Sequence, residues 1–221
     1  MATEDIGARL RDARTARGLS LRALAQSLGV SASLISQIET GKTQPSVSTL
    51  YSIVTALGVS IDDLLDVRPV ATVPTGAPVV QRGSENPVLE MENGVRWERL
   101  AVGDGAADAL LVTYDPGATS SVEGRLMRHA GNEYAYILEG EITLQIEFDT
   151  FTLGPGDSLT FDSSRPHLYS NRGDRVARGV WFVTGRRQQN RAPQVAPSPR
   201  TDGSLSSAVD VLQAMDRLDE R

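Results

Sequence analysis

The chain has 221 residues, enough for two domains or for one with appendages, and its 40% hydrophobic content supports ordinary globular cores. A formal charge of −6 and a pI near 5.0 run against nucleic-acid binding by the chain as a whole, although net charge averages over domains that do different work. Zero cysteines exclude disulfides and thiolate metal sites. With no apolar run of membrane-spanning length and no signal-peptide core, the expectation is a soluble, cytoplasmic protein with no membrane partner.

After a short polar lead, Ile6 to Arg17 reads as a first helix, with Ile6, Leu10 and Ala13 inward and Gly18 ending it. The stretch from Ser20 to Lys42 describes two short helices crossing through a tight turn. Leu21, Leu24 and Leu28 fall three and four apart, and Val30, Ile35 and Ile38 mark the inward side of the next helix. Ala25 allows close approach, Gly29 supplies the positive φ of the turn, and Ser20 and Ser31 are placed as N-caps. Ser46 to Leu57 predicts a fourth helix with Leu50, Ile53, Val54 and Leu57 inward, and Ser60 caps a fifth that ends at Leu65. Between Arg9 and Lys42 six basic residues (Arg9, Arg11, Arg14, Arg17, Arg22, Lys42) face two acidic ones (Asp12, Glu39), so this segment carries a net charge of +4.

These residues, together with Ile6 to Arg11 before them and Pro45 to Leu65 after, resemble the Cro/C1-type (XRE) helix-turn-helix family. The resemblance implies an all-α, lambda-repressor-like five-helix DNA-binding domain over residues 6–66, with its helix-turn-helix at 21–40 and its third helix in the major groove. On that helix Ala32, Ser33, Ser36 and Gln37 lie outside the inward stripe and can reach base edges. Gln37 is the best single reader because a carboxamide both donates to and accepts from adenine. Arg22, Gln26, Lys42 and Thr43 flank it as phosphate contacts that position without reading sequence. The resemblance implies that Glu39 pairs with Arg14, in keeping with the repulsion a carboxylate would meet at phosphate, and Leu34 either packs or touches a thymine methyl.

Residues 67–78 hold three prolines and Gly76, which predicts a semi-stiff linker that lets the DNA-binding domain orient separately from the C-terminal part of the chain. From residue 79 to 185 the pattern alternates. The expected strands are Val79–Arg82, Val95–Val102, Ala109–Tyr114, Glu133–Leu138, Glu141–Glu147, Phe151–Leu153, Ser158–Phe161, His167–Ser170 and Ala177–Val183, a spacing that suits an all-β sandwich or jelly roll.

Within it, His129-Ala130-Gly131-Asn132-Glu133 through Gly140, and Gly154-Pro155-Gly156-Asp157 with Pro166-His167 and Asn171 beyond, resemble the paired motifs of the cupin family. Met127 stands where that family's first motif has its first histidine. His129 and His167, the only two histidines in the chain, both fall on ligand positions. With Glu133 they make a set able to hold divalent iron, zinc, nickel or manganese, or else to hydrogen-bond a small-molecule effector. Met127, Tyr136 and Tyr169 are candidate residues of the effector pocket, and Asp157 is expected to bond turn amides.

Residues 186–203 have the composition of a disordered segment, and 204–221 resume helical spacing as a C-terminal amphipathic helix. Two functions are compatible with these motifs. One is a transcriptional regulator, a homodimer on a palindromic double-stranded DNA operator with effector sensing in the barrel. The other is an enzyme. A helical domain joined to a barrel with His-x-x-x-Glu and a distant histidine is similar to the iron-dependent hydroxypropylphosphonate epoxidases, in which case His129, Glu133 and His167 would hold Fe(II).

Overall fold

The computed structural model describes residues 4–65, 80–101, 107–122 and 124–185. The expected linker at 67–78, the segment 186–203 and the C-terminal helix at 204–221 lie outside the described residues. Five helices come first: α1 (Glu4–Ala16), α2 (Leu21–Leu28), α3 (Ala32–Glu39), α4 (Val47–Leu57) and α5 (Ile61–Leu65). Local chemistry sets their ends. Ser20, Ser31 and Ser46 each accept a bond from the backbone N–H three residues on, satisfying a donor that has no partner inside the helix. Ser60 and Asp63 bond reciprocally, side chain to backbone N–H, at 2.7 and 3.0 Å. Gly29 sits at φ 67° in the α2–α3 turn, as its place in the sequence requires.

Ile6, Leu10, Leu24, Ala25, Ile35, Ile38, Leu50, Ile53, Val54 and Leu57 form the helical core, all buried. Leu21, Leu28 and Val30 are partly buried against it. Gly7 has a role that helix propensity conceals: a Cβ there would strike the carbonyl oxygen of Ile38, so its absence lets α1 lie against the end of α3. Arg14 pins the same corner. Its guanidinium donates to both oxygens of Glu39 at 2.6 and 2.8 Å and to the carbonyl of Leu19 at 2.6 Å. The hydrogen bond to Glu39 raises the pKa of Arg14 against the opposing effect of burial. Glu39 is therefore an internal partner and not a DNA contact.

Nine strands come next among the described residues: β1 (Val88–Glu90), β2 (Val95–Arg99), β3 (Ala107–Tyr114), β4 (Asn132–Glu139), β5 (Ile142–Ile146), β6 (Asp149–Leu153), β7 (Ser158–Asp162), β8 (His167–Ser170) and β9 (Ala177–Thr184). They form a six-stranded antiparallel sheet, β1-β2-β3-β9-β4-β7, and a three-stranded sheet, β6-β5-β8. Between the sheets lies a second core of Trp97, Leu110, Val112, Ile137, Ile142, Leu144, Phe161 and Trp181. The strand expected at Val79–Arg82 is not one: Val80 to Arg82 is irregular and leads into a 3₁₀ turn at Gly83–Glu85. The edge strand is instead Val88–Glu90, three residues too few to show alternation. The strand from Val95 stops at Arg99.

The helices pack against the barrel in the structure, through contacts that an independently oriented domain would not need. The backbone N–H of Ser48 donates to Ser120 at 3.0 Å and that of Glu92 to Pro45 at 3.0 Å. Asp62 of α5 meets Arg99 of β2 at 2.8 Å, with side chains only 1% and 2% exposed. Counter-charge and desolvation make such a contact specific, because either group left alone would be a buried charge.

Candidate functional site

His129 precedes β4, Glu133 lies one inward step along β4, and His167 opens β8, so residues 38 apart in sequence meet between the two sheets. The alternation of β4 turns Glu133, Ala135 and Ile137 inward. A mutual backbone bridge between Met127 and His167 holds the incoming strand beside β8 and brings His129 into place. His129 Nε2 lies 2.6 Å and His167 Nε2 3.3 Å from Glu133 Oε1, while the Tyr169 hydroxyl donates to Oε2 at 2.6 Å. All three ligand side chains are buried, and one ligand atom from each lies within 4.8 Å of the others.

The other ring nitrogens face backbone carbonyls. His167 Nδ1 is 2.8 Å from the carbonyl of Arg165, and His129 Nδ1 is 3.3 Å from that of Ala130. A carbonyl and a carboxylate both only accept, so His167 donates from Nδ1 to Arg165 and leaves Nε2 facing Glu133, whereas the short bond of His129 is the one its Nε2 donates to Glu133 Oε1 at 2.6 Å. Close as it is to Glu133, His167 Nε2 makes no well-aligned hydrogen bond. Two imidazole nitrogens and a carboxylate converging in a dry interior make a set that a divalent cation would complement. The donor set fits a divalent metal held on one face by two imidazoles and one carboxylate. Burial pushes the Glu133 carboxyl up, but its interactions with His129 and His167 outweigh that and hold it well below the ordinary carboxylate range. Burial, with the charge of Glu133 next in weight, pushes the Tyr169 hydroxyl well above its usual value, so it stays a donor.

Met127 and Tyr169 line the cavity beside the cluster. Tyr136 does not. It is 49% exposed because the period of two that buries Glu133 and Ala135 sends Tyr134 and Tyr136 to the outer face. Sequence reasoning missed Tyr51 of α4, whose ring stacks on His129 with centroids 4.3 Å apart and planes 11° from parallel. Tyr51 also meets Trp97 edge-on at 5.6 Å. One signal for it was available: Val47 and Tyr51, spaced i and i+4, form a second apolar stripe outside the helical core stripe of α4.

On the helical domain, Arg22, Gln26, Ser33, Gln37 and Lys42 are exposed, and Ala32, Ser36 and Thr43 are part-buried. Thr43 donates to Gln37 Oε1 at 3.4 Å. Ser31 is occupied as the cap of α3.

Fold and sites together define a DNA-binding transcriptional regulator with a C-terminal cupin domain. Residues 10–64 match the helix-turn-helix family and residues 110–183 the cupin domain family. The HTH-type transcriptional regulator PuuR of Escherichia coli K12 is 30% identical over 177 residues, covering 78% of this chain and 90% of PuuR. The regulator SutR of the same organism is 25% identical over 167 residues, covering 76% and 87%. A solved HTH_3 family transcriptional regulator from Vibrio cholerae shares the fold, with a TM-score of 0.59 at 23% identity over 83% of this chain and 96% of that one. The chain belongs to the HTH-type transcriptional regulators, the family of PuuR. These relatives, matched over 90% and 87% of their own lengths, are transcriptional regulators, so the histidine–glutamate set sits in a member of a regulator family.

Proposed function

We propose that this regulator senses a small-molecule effector or a divalent metal in its cupin domain and converts occupancy into a change of operator affinity in the cytoplasm. The observation that carries this reading is the buried meeting of His129, Glu133 and His167, a costly arrangement for a barrel that served only as a scaffold. Gln37, with Ala32, Ser33 and Ser36, reads base edges, while Arg22, Gln26, Lys42 and Thr43 hold phosphates. Occupancy shifts DNA affinity only if the ligand binds one arrangement of the protein better than another.

The working form in this reading is a homodimer on a palindromic operator. In support, Tyr134, Tyr136 and Leu138 of β4 and Phe182 of β9 are 44–49% exposed, and Tyr134 pairs with Phe182 in register, giving an apolar outer sheet face suited to a second copy. The test combines metal analysis of protein purified without chelator with salt-dependent binding to its own upstream DNA. Specific binding altered by metal or by a metabolite extract is the expected result. Iron at one per chain with no specific DNA binding would overturn the reading.

A further inference from the structure

We propose that the DNA-binding domain supplies a wall of the sensory site, with Val47 and Tyr51 of α4 closing the cavity against any ligand larger than about a water molecule. The proposal rests on the sensing function above and extends it to say how an organic ligand gains access and which residues it must displace.

Three observations carry it. The cavity bounded by Val47, Tyr51, Met127, Glu133 and Tyr169 has a volume of only about 20 Å³, room for one water or an ion, whereas drug-sized organic ligands occupy cavities of about 300–1,000 Å³. The covering residues come from the helical domain: Val47 and Tyr51 are 1% and 4% exposed, although neither belongs to the inward stripe read from the sequence of α4. Tyr51 lies flat on His129, so a molecule reaching the outer face of that imidazole must take the place of the phenol ring.

On the other side of α4 an open cleft of about 650 Å³ is lined by Leu34, Ser48, Ser52, Arg125, Met127 and Arg128. Met127 lines both spaces, so withdrawal of α4 would join the small cavity to the large cleft. Leu34 lies on α3, the helix that reads DNA, so a ligand growing into the cleft would touch that helix directly. Docking of α4 and binding of an organic ligand thus compete for one space, and that competition is a physical route from the barrel to the recognition helix.

The test uses the full chain, free of any histidine tag, with diethyl pyrocarbonate, which acylates neutral imidazole and gives a product followed by ultraviolet difference absorbance. Because the chain has two histidines, His129 and His167, the signal reads this site alone. In the metal-free protein Tyr51→Ala is expected to raise the modification rate about tenfold or more, since reaction then tracks a larger open population. Tyr51→Phe, which keeps the ring, should react like wild type. A second arm uses Ser48→Cys with Ser120→Cys, adjacent through a 3.0 Å backbone bond in a chain without cysteine. Its oxidised form should react more slowly than its reduced form. Equal rates for wild type and Tyr51→Ala, or for the oxidised and reduced pair, would overturn the proposal. Protection by added Zn(II) reports separately on metal binding, so loss of the metal reading is distinguishable from loss of the wall.

Discussion

Asp62→Ala asks whether the helices and the barrel behave as one cooperative body. Arg99 is 2% exposed; its Nε and Nη2 lie 2.8 and 3.3 Å from the two oxygens of Asp62, and its Nη1 donates to the carbonyls of Leu100 and Ala109. Truncating Asp62 leaves the guanidinium buried, with Asp108 at 3.6 Å as a remaining counter-charge. Breaking a buried pair from one side typically costs about 3–5 kcal/mol, and the retained Asp108 places this case near about 3 kcal/mol. For a body of this size that corresponds to a fall in Tm of about 6–12 °C.

Urea unfolding provides the assay, monitored by far-UV circular dichroism for the helices and by fluorescence for the barrel, where both tryptophans, Trp97 and Trp181, reside. Wild type should give coincident transitions; Asp62→Ala should lower both midpoints or pull them apart. Replacing both partners, Asp62→Leu with Arg99→Met, should recover part of the loss because the buried guanidinium is gone, the remainder being the contact that Asp108 made with Arg99 at 3.6 Å. An unchanged midpoint in Asp62→Ala would refute a docked, desolvated pair.

Gln37→Ala should reduce discrimination between operator and mismatched DNA by about 1–3 kcal/mol while leaving non-specific affinity nearly unchanged, as read by competition binding at fixed salt. A uniform loss on all sequences would assign Gln37 to positioning. His129→Ala with His167→Ala should abolish the response to metal or effector and preserve DNA affinity; an intact response would remove the cluster from sensing. Tyr169→Phe deletes the 2.6 Å donor to Glu133 and should weaken metal binding about 10- to 100-fold in a chelator competition, as loss of an outer partner generally does. Unaltered affinity would show that Glu133 needs no such anchor.

Much of this architecture was legible because short-range chemistry dictates it. Capping serines, Gly29 and the three-and-four spacing of leucines are local signals, and the structure places them as read. The bond from the Gly154 amide to Asp157 was readable from residue types, and the pairing of Arg14 with Glu39 through the resemblance to the helix-turn-helix family. The cluster of His129, Glu133 and His167 was readable only through its resemblance to paired motifs, since nothing local joins β4 to β8.

The features that escaped depend on tertiary arrangement. Tyr136 and Tyr169 look alike in sequence, yet strand register sends one outward and the other to Glu133. The edge strand at Val88–Glu90 is too short to show a period. Docking of α4 and α5 onto the barrel escaped as well. A proline-rich connector suggests independence, whereas Tyr51 and Asp62 find partners 78 and 37 residues away along the chain.

The most direct measurement is quantitative footprinting of the full-length protein on genomic fragments at low ionic strength, with and without added divalent metal and metabolite extract. A protected palindromic site whose occupancy shifts on addition, and no longer shifts in His129→Ala with His167→Ala, is the expected result. Failure to protect any site under either condition would contradict a DNA reader governed by its barrel.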